Sequence, residues 1–221
     1  MEQIFAKYDV PVEIVKLPLV ESSFNENAQS KVGASGVWQF MPAMGKKFLK
    51  IGHHADERNS PIKATEAAAK MLKGNFKILK SWPLAITAYN HGPGGLIKAK
   101  KILKTDDLEE IIENYKGRRF SFASQNFYSE FLAALYADKY QQEIFGTLDK
   151  HSPIEADTLR LKRSIRVMEL AKIAGVTVEE IKLHNPDLRK RVVKRNPFLP
   201  AGYTIRLPVG SLERIEKQNP T

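Results

Sequence analysis

Apolar residues recur with a helical period through the first two thirds of this chain, and alternate like strands in short stretches after that. Residues 2–8 and 11–23 read as helices. The second is opened by Pro11 and interrupted at Pro18, since proline suits a first helical turn and breaks an interior one. Its run of Val12, Ile14, Val15, Leu17, Leu19 and Val20 is too continuous for a surface helix, which predicts a buried segment with Glu21 in its last turn. A polar loop follows from Asn25 to Ser35, with Gly33 and Gly36 suited to tight backbone turns. Pro42 starts a short helix ending near Ile51, with Lys46, Lys47 and Lys50 outward, and residues 52–59 read as a loop. Ser60-Pro61 caps and opens a helix through Leu79, whose ATEAAAKMLK has strong helix propensity. Trp82-Pro83 opens another that stops at Gly92-Pro93-Gly94-Gly95. Helices near 95–103 and 106–114 follow, and the longest covers 121 to about 145. No convincing strand pattern occurs before residue 150.

The period changes beyond the stretch HSPIEADTL. Residues 159–162 alternate, as do residues 203–207 before Pro208, and MELAKIAG and TVEEIKLH between them read as two short helices. The expected organisation is therefore a helical domain over residues 1–150, a linker at 151–158, a small α+β module at 159–210 and a tail at 211–221.

Composition narrows the possibilities. A hydrophobic fraction of 43% in 221 residues supports a packed core, one ordinary domain and a small second one. There is no cysteine, hence no disulfide framework and no thiolate nucleophile or metal ligand. No run of about 18 apolar residues is present to span a membrane. Histidines 53 and 54 are adjacent and the other three scattered, so neither a metal nor another cofactor is expected. The formal charge of +10 is uneven: residues 1–150 hold 21 Lys and Arg against 17 Asp and Glu, residues 151–221 hold 14 against 8. A basic C-terminal part implies an anionic partner: nucleic acid, anionic lipid or peptidoglycan stem carboxylates.

The candidate chemistry centres on Glu21. Partial burial and the negative end of a helix would both raise its pKa, and a carboxyl kept protonated near neutrality is what a general acid requires. Periodicity alone equally allows a Glu that closes a helix and faces water. ESSF at 21–24, Ser30 and GASGVWQFMP at 33–42 resemble the catalytic motif of the lytic transglycosylases with a goose-type lysozyme (SLT) fold. ADERNSPIKATEAAAKML, WPLAITAYNHGPGGL and FASQNFYSEFLAAL, in that order, resemble the branch containing membrane-bound lytic murein transglycosylase D. Together these blocks cover most of residues 8–140. The C-terminal strand-helix-helix-strand order resembles a LysM-like module, without the Gly-Asp-Thr opening of that family.

The resemblance implies a mainly α, lysozyme-like catalytic domain followed by a small α+β (βααβ) LysM-like domain. It also implies non-hydrolytic cleavage of the bond joining N-acetylmuramic acid to N-acetylglucosamine, with Glu21 as sole acid and base. By the same resemblance, Ser30, Gln39, Tyr89, Asn90 and Tyr128 contact substrate, Tyr128 with its hydroxyl toward Glu21, although Ser124 and Gln125 stand where the commoner pattern has Glu-Thr. Trp38 either stacks on a sugar or belongs to the core. The expected partner is peptidoglycan, bound by a monomer in the bacterial envelope, periplasm or exterior, with no nucleic acid. The N-terminus lacks a secretory signal, so the chain reads as part of a longer or processed protein. Glu26, Asp56, Glu57 and Glu66 offer no well-placed second carboxylate. Three alternatives stay open: a goose-type hydrolase of the same bond, a glycan-binding protein without activity, and a DNA-binding helix-turn-helix in MELAKIAGVTVEEIK, against which Glu179 and Glu180 would repel phosphates.

Overall fold

The computed structural model of the protein describes residues 1–149 and 152–218. In chain order, α1 (Glu2–Lys7) leads to a 3-10 turn at Val12–Lys16 and α2 (Pro18–Ser22), then α3 (Pro42–Gly45) and a second 3-10 turn at Glu57–Asn59. The longer helices follow: α4 (Pro61–Leu79), α5 (Trp82–His91), α6 (Pro93–Leu103), α7 (Leu108–Asn114), α8 (Phe122–Lys139) and the short α9 (Gln141–Phe145). The C-terminal part runs β1 (Asp157–Arg160), β2 (Ile165–Arg166), α10 (Val167–Ala174), α11 (Val178–His184), α12 (Arg191–Arg195), β3 (Phe198–Leu199), β4 (Thr204–Leu207) and α13 (Ser211–Gln218). Among the described residues no helix is long and apolar enough to cross a membrane.

Two compact units form. The first is Met1–Asn25, Val37–Gln39 and Ile62–Leu148, and the second is Glu26–Gly36, Phe40–Pro61 and Asp149–Thr221. Residues 26–36 and 40–61, which lie within the helical region in sequence, thus group with the C-terminal residues.

In the first unit the expected helix over 11–23 is divided. Pro18 cannot donate a backbone hydrogen bond, so it takes the first position of α2 and the preceding turn stays 3-10. Ile14, Val15 and Leu17 are buried, but Val12 is exposed, so the apolar run is only partly interior. The core face of α4 is built from Ala64, Ala67 and Ala68, small residues that let neighbouring elements approach its axis, followed by the larger Met71 and Leu72. Of the expected breaker GPGG, only Gly92 breaks a helix: it adopts φ 89°, and Pro93 occupies the first turn of α6. Leu79, Leu84, Leu96, Ile111 and Phe120 join α4 to the segments after it in one apolar cluster, with Tyr128 packed at its edge.

In the second unit, α3 ends sooner than expected: the Lys47 and Phe48 amides turn to the carbonyls three residues back, and the Glu57 carboxylate then accepts the Lys50 N–H at 2.7 Å. The outer strands of the module pair antiparallel, with Asp157 opposite Leu207 and Arg160 opposite Thr204, while β2 pairs with β3. Val167, Leu170, Ile181, Leu188, Leu199, Ile205 and Leu207 fill its core. Gly175 (φ 65°) ends α10, and Thr177 with Glu180 forms a capping box for α11. The expected tail contains α13, whose Arg214 Nε donates to the Ala174 carbonyl at 2.6 Å. His151 of the expected linker and residues 219–221 of the expected tail lie outside the described residues.

Candidate active site

Glu21 sits near the end of the five-residue α2. The chain then reverses through two consecutive non-glycine residues in left-handed conformation, Ser23 (φ 51°) and Phe24 (φ 57°). Each such residue costs on the order of 1 kcal/mol, and surrounding structure must hold it. Here the Ser23 and Phe24 amides both donate to the Pro18 carbonyl, and Ser22 Oγ donates to the Val37 carbonyl at 2.7 Å. That last bond ties α2 to the strip Val37–Gln39.

Burial raises the Glu21 carboxyl to about 7, with a further push from the negative charge of Glu130. A helix dipole is not the main cause, because α2 is too short to supply much of one. Among the described residues the carboxyl has no hydrogen-bond or ion-pair partner to hold it ionised. Glu130, on α8, is a residue that the sequence reading passes over: eighteen consecutive helical positions give no sign of which side chain faces α2. Packing of α8 against α2 is the missing information.

Tyr89 lies at the same centre. Its hydroxyl donates to the Trp38 carbonyl at 2.8 Å. Burial, with added repulsion from Glu21, holds its pKa well above the ordinary tyrosine value, so it stays a neutral donor. Trp38 itself is 0% exposed, stacks on Phe5 at 5.6 Å and donates its Nε1 hydrogen to Thr65 Oγ1 at 2.8 Å. Its ring has no free face, so the expectation of a sugar-stacking Trp38 is corrected: the indole is core, and its carbonyl positions Tyr89. Gln39, next in sequence, is partly exposed in a left-handed conformation (φ 46°).

Asn90 is exposed near the end of α5, and its Oδ1 accepts from Ser124 Oγ at 3.1 Å. Ser124 Oγ also lies 3.1 Å from His91 Nδ1, and burial lowers the His91 pKa, with Arg119 adding to the effect. Ser124, at a place where the sequence departs from the commoner family pattern, thus ties the end of α5 to the start of α8. Tyr128 packs its ring 6.3 Å from that of Phe131 and makes no hydrogen bond with Glu21 among the described residues. Ser30 belongs to the second unit, where its Oγ accepts the Ala34 N–H at 2.9 Å and shapes the loop. Three of the other four carboxylates are occupied: Glu66 accepts from the Tyr8 hydroxyl at 2.6 Å and pairs with Lys70, Asp56 is paired with Arg58, and Glu57 accepts the Lys50 N–H. Within the first unit, Tyr89 and Glu130 are the groups whose electrostatics reach Glu21, while Asn90 is tied to Ser124 and Tyr128 packs on Phe131.

Comparison with known proteins identifies two domains in the chain. Residues 3–112 match the Transglycosylase SLT domain, and residues 155–221 match the LysM-like domain of lytic transglycosylase MltD. Membrane-bound lytic murein transglycosylase D from Escherichia coli is 27% identical over 188 residues, covering 83% of this chain and 40% of that protein. A protein of Alteromonas sp. assigned to tributyltin chloride resistance is 37% identical over 100 residues, 44% of this chain and 48% of that protein. Among solved structures, an inactive mutant of lytic transglycosylase Slt from Pseudomonas aeruginosa aligns over 63% of this chain and 23% of its own, with a TM-score of 0.48 and 20% identity. The chain thus spans less than half the length of the curated relatives it matches. Residues 3–112 thus carry a transglycosylase SLT domain, and residues 155–221 a LysM-like domain of the lytic transglycosylase MltD type.

Proposed function

We propose that the protein is a peptidoglycan lytic transglycosylase of the bacterial cell envelope, with Glu21 as its single acid and base. The observation that carries this reading is a half-buried carboxyl with a pKa of about 7, lacking an ionic partner among the described residues, in an SLT domain. Its relative in Escherichia coli is a membrane-bound lytic murein transglycosylase, which supports both the substrate and the location.

In the proposed reaction Glu21 gives its proton to the oxygen that links N-acetylmuramic acid C1 to N-acetylglucosamine, and that C1–O bond breaks. The muramyl C6 hydroxyl oxygen then bonds to C1, and its proton passes to the Glu21 carboxylate. The product is a 1,6-anhydro ring, and the acid is restored. Because the attacking hydroxyl belongs to the same sugar, no water has to be captured and oriented. The substrate's N-acetyl group stabilises the positive C1, a task that a second carboxylate would otherwise serve. Gln39, Asn90 and Ser30 supply polar contacts to the glycan. Tyr89, neutral and anchored on the Trp38 carbonyl, lies in the field of Glu21, and Tyr128 flanks the site from α8. Purified sacculi test this reading: Glu21→Gln should release soluble muropeptides at least about a thousandfold more slowly, as loss of an essential acid removes several kcal/mol of transition-state stabilisation.

One observation favours a second reading. The negative charge of Glu130 acts on Glu21, and a pair of carboxylates is the ordinary equipment of a hydrolase. If Glu130 activates water, Glu130→Gln should abolish cleavage. If Glu130 only tunes the acid, that variant should keep cleaving.

A further inference from the structure

Within the second unit, one buried carboxylate joins two segments that are far apart in sequence. Asp56, 3% exposed, accepts from Arg58 Nε at 2.9 Å and Arg58 Nη2 at 2.8 Å, and from Arg189 Nη2 at 3.4 Å. Arg58 is itself buried, and its Nη1 donates to the carbonyls of Gly33 at 2.7 Å and Phe40 at 2.9 Å. Those two carbonyls bracket the GASGVWQF strip, and Phe40 is bonded directly to Gln39. Gly36 (φ 78°) lies so close that a Cβ there would overlap the Arg58 carbonyl, so the strip follows the arginine's position closely. On the other side, Arg189 comes from the LysM-like sequence and grips the same loop through its backbone. Its N–H donates to the His54 carbonyl at 2.9 Å, its Nε donates to the Gly52 carbonyl at 2.9 Å, and Asp56 N–H donates to the Asp187 carbonyl at 2.8 Å. Ala55 and Leu188 form an antiparallel bridge between them.

We infer that Arg189 is a positioning residue for the catalytic strip: through Asp56 it fixes Arg58, and Arg58 fixes the backbone that carries Gln39. A guanidinium suits this task because its fork can hold a carboxylate and a carbonyl at once. Removing the side chain leaves Asp56 with one cationic partner and takes the Nε donor from the Gly52 carbonyl, while the backbone bond to the His54 carbonyl remains. A displacement of order 1 Å at a substrate-binding strip costs up to about a hundredfold in rate. The LysM-like sequence would then serve turnover by holding the loop, apart from any glycan it binds.

The catalytic consequence rests on the transglycosylase reading, so the test pairs an activity-independent measurement with turnover. In the full chain, Arg189→Ala is compared with wild type and Arg189→Lys by amide hydrogen exchange and by muropeptide release from sacculi. The Arg189 side chain is 41% exposed, so its truncation leaves the module's core packed, and exchange at Ile205 and Leu207 reports that directly. Expected for Arg189→Ala are faster exchange at Gly33, Ser35 and Gly36, unchanged exchange in the module core, release slowed about tenfold or more, and unchanged pelleting with sacculi. Arg189→Lys, which keeps the charge, should recover part of both losses. Unchanged exchange in the strip overturns the inference whatever happens to turnover. So does faster strip exchange with normal release from an active wild type. A wild type without cleavage refutes the transglycosylase reading instead, and the exchange result still stands or falls alone.

Discussion

Partly burying a carboxyl that accepts no hydrogen bond opposes folding whenever the carboxyl is charged, and among the described residues Glu21 is such a group. Its folded pKa of about 7 exceeds the ordinary value of 4.5. Below pH 4.5 the side chain is neutral folded or unfolded and nothing is lost. As pH rises from 4.5 to 7 the unfolded chain ionises first, and stability falls to a plateau above 7. Glu21→Gln should therefore stabilise the protein at pH 8 by about 2 kcal/mol, a figure reduced from the full shift for residual contact with water, and by nothing at pH 4. Thermal melts at the two pH values check this; an equal effect at both would mean that the carboxyl is not held protonated. The same shift fixes the pH dependence of turnover. An acid must carry its proton, so release should decline as pH passes through about 7. Removing the charge of Glu130 lowers the Glu21 pKa, so Glu130→Gln should move this decline to lower pH while cleavage persists. An unmoved limb would show that the two carboxylates do not interact, and lost cleavage would favour hydrolysis.

Helices and strands were legible in the sequence where a local device specified them, and were misjudged where tertiary contact decided. Ser60-Pro61, Trp82-Pro83 and Thr177-x-x-Glu180 mark helix starts through proline geometry and capping, and α4, α5 and α11 begin there. Strand β4 is likewise visible as alternation, whereas β1 runs over Asp157–Arg160, two residues ahead of the expected 159–162 and partly within the expected linker. Gly92 and Pro93 read together as a break, yet only glycine needs the positive φ, while proline suits the next helix's first turn. The helix formers of LERIEKQ fall in the expected tail, yet they build α13, which is secured by Arg214 on the Ala174 carbonyl and Asp157 on the Leu212 amide. Asn185 shows how strongly one side chain can fix an element junction. Buried at 3%, it donates from Nδ2 to the Ile181 and Arg206 carbonyls at 2.7 and 2.6 Å, and accepts the Arg206 N–H at 2.9 Å. Asn185→Ala should cost about 3 kcal/mol by leaving Arg206 backbone groups unpaired, measured by denaturant unfolding followed through the C-terminal module. A loss below about 0.5 kcal/mol would mean that water replaces the amide.

For the whole molecule, the family blocks around Glu21, Tyr89 and Asn90 were visible because each is a short contiguous motif. Glu130, Ser124 and the Asp56–Arg189 link were not, since each depends on which distant segment packs against which. The DNA-binding alternative also weakens at this scale: Glu180 caps α11 and, with Glu179, puts acidic side chains where phosphates would have to approach. The central claim is a lyase in which Glu21 serves both proton transfers and water takes no part. Digestion of sacculi in water enriched in heavy oxygen, followed by mass spectrometry of the released muropeptides, tests it most directly. The account predicts anhydro products one water lighter than those of hydrolysis, without heavy oxygen, from the wild type and essentially none from Glu21→Gln. Reducing-end products carrying one heavy oxygen atom, or undiminished release by Glu21→Gln, would contradict it.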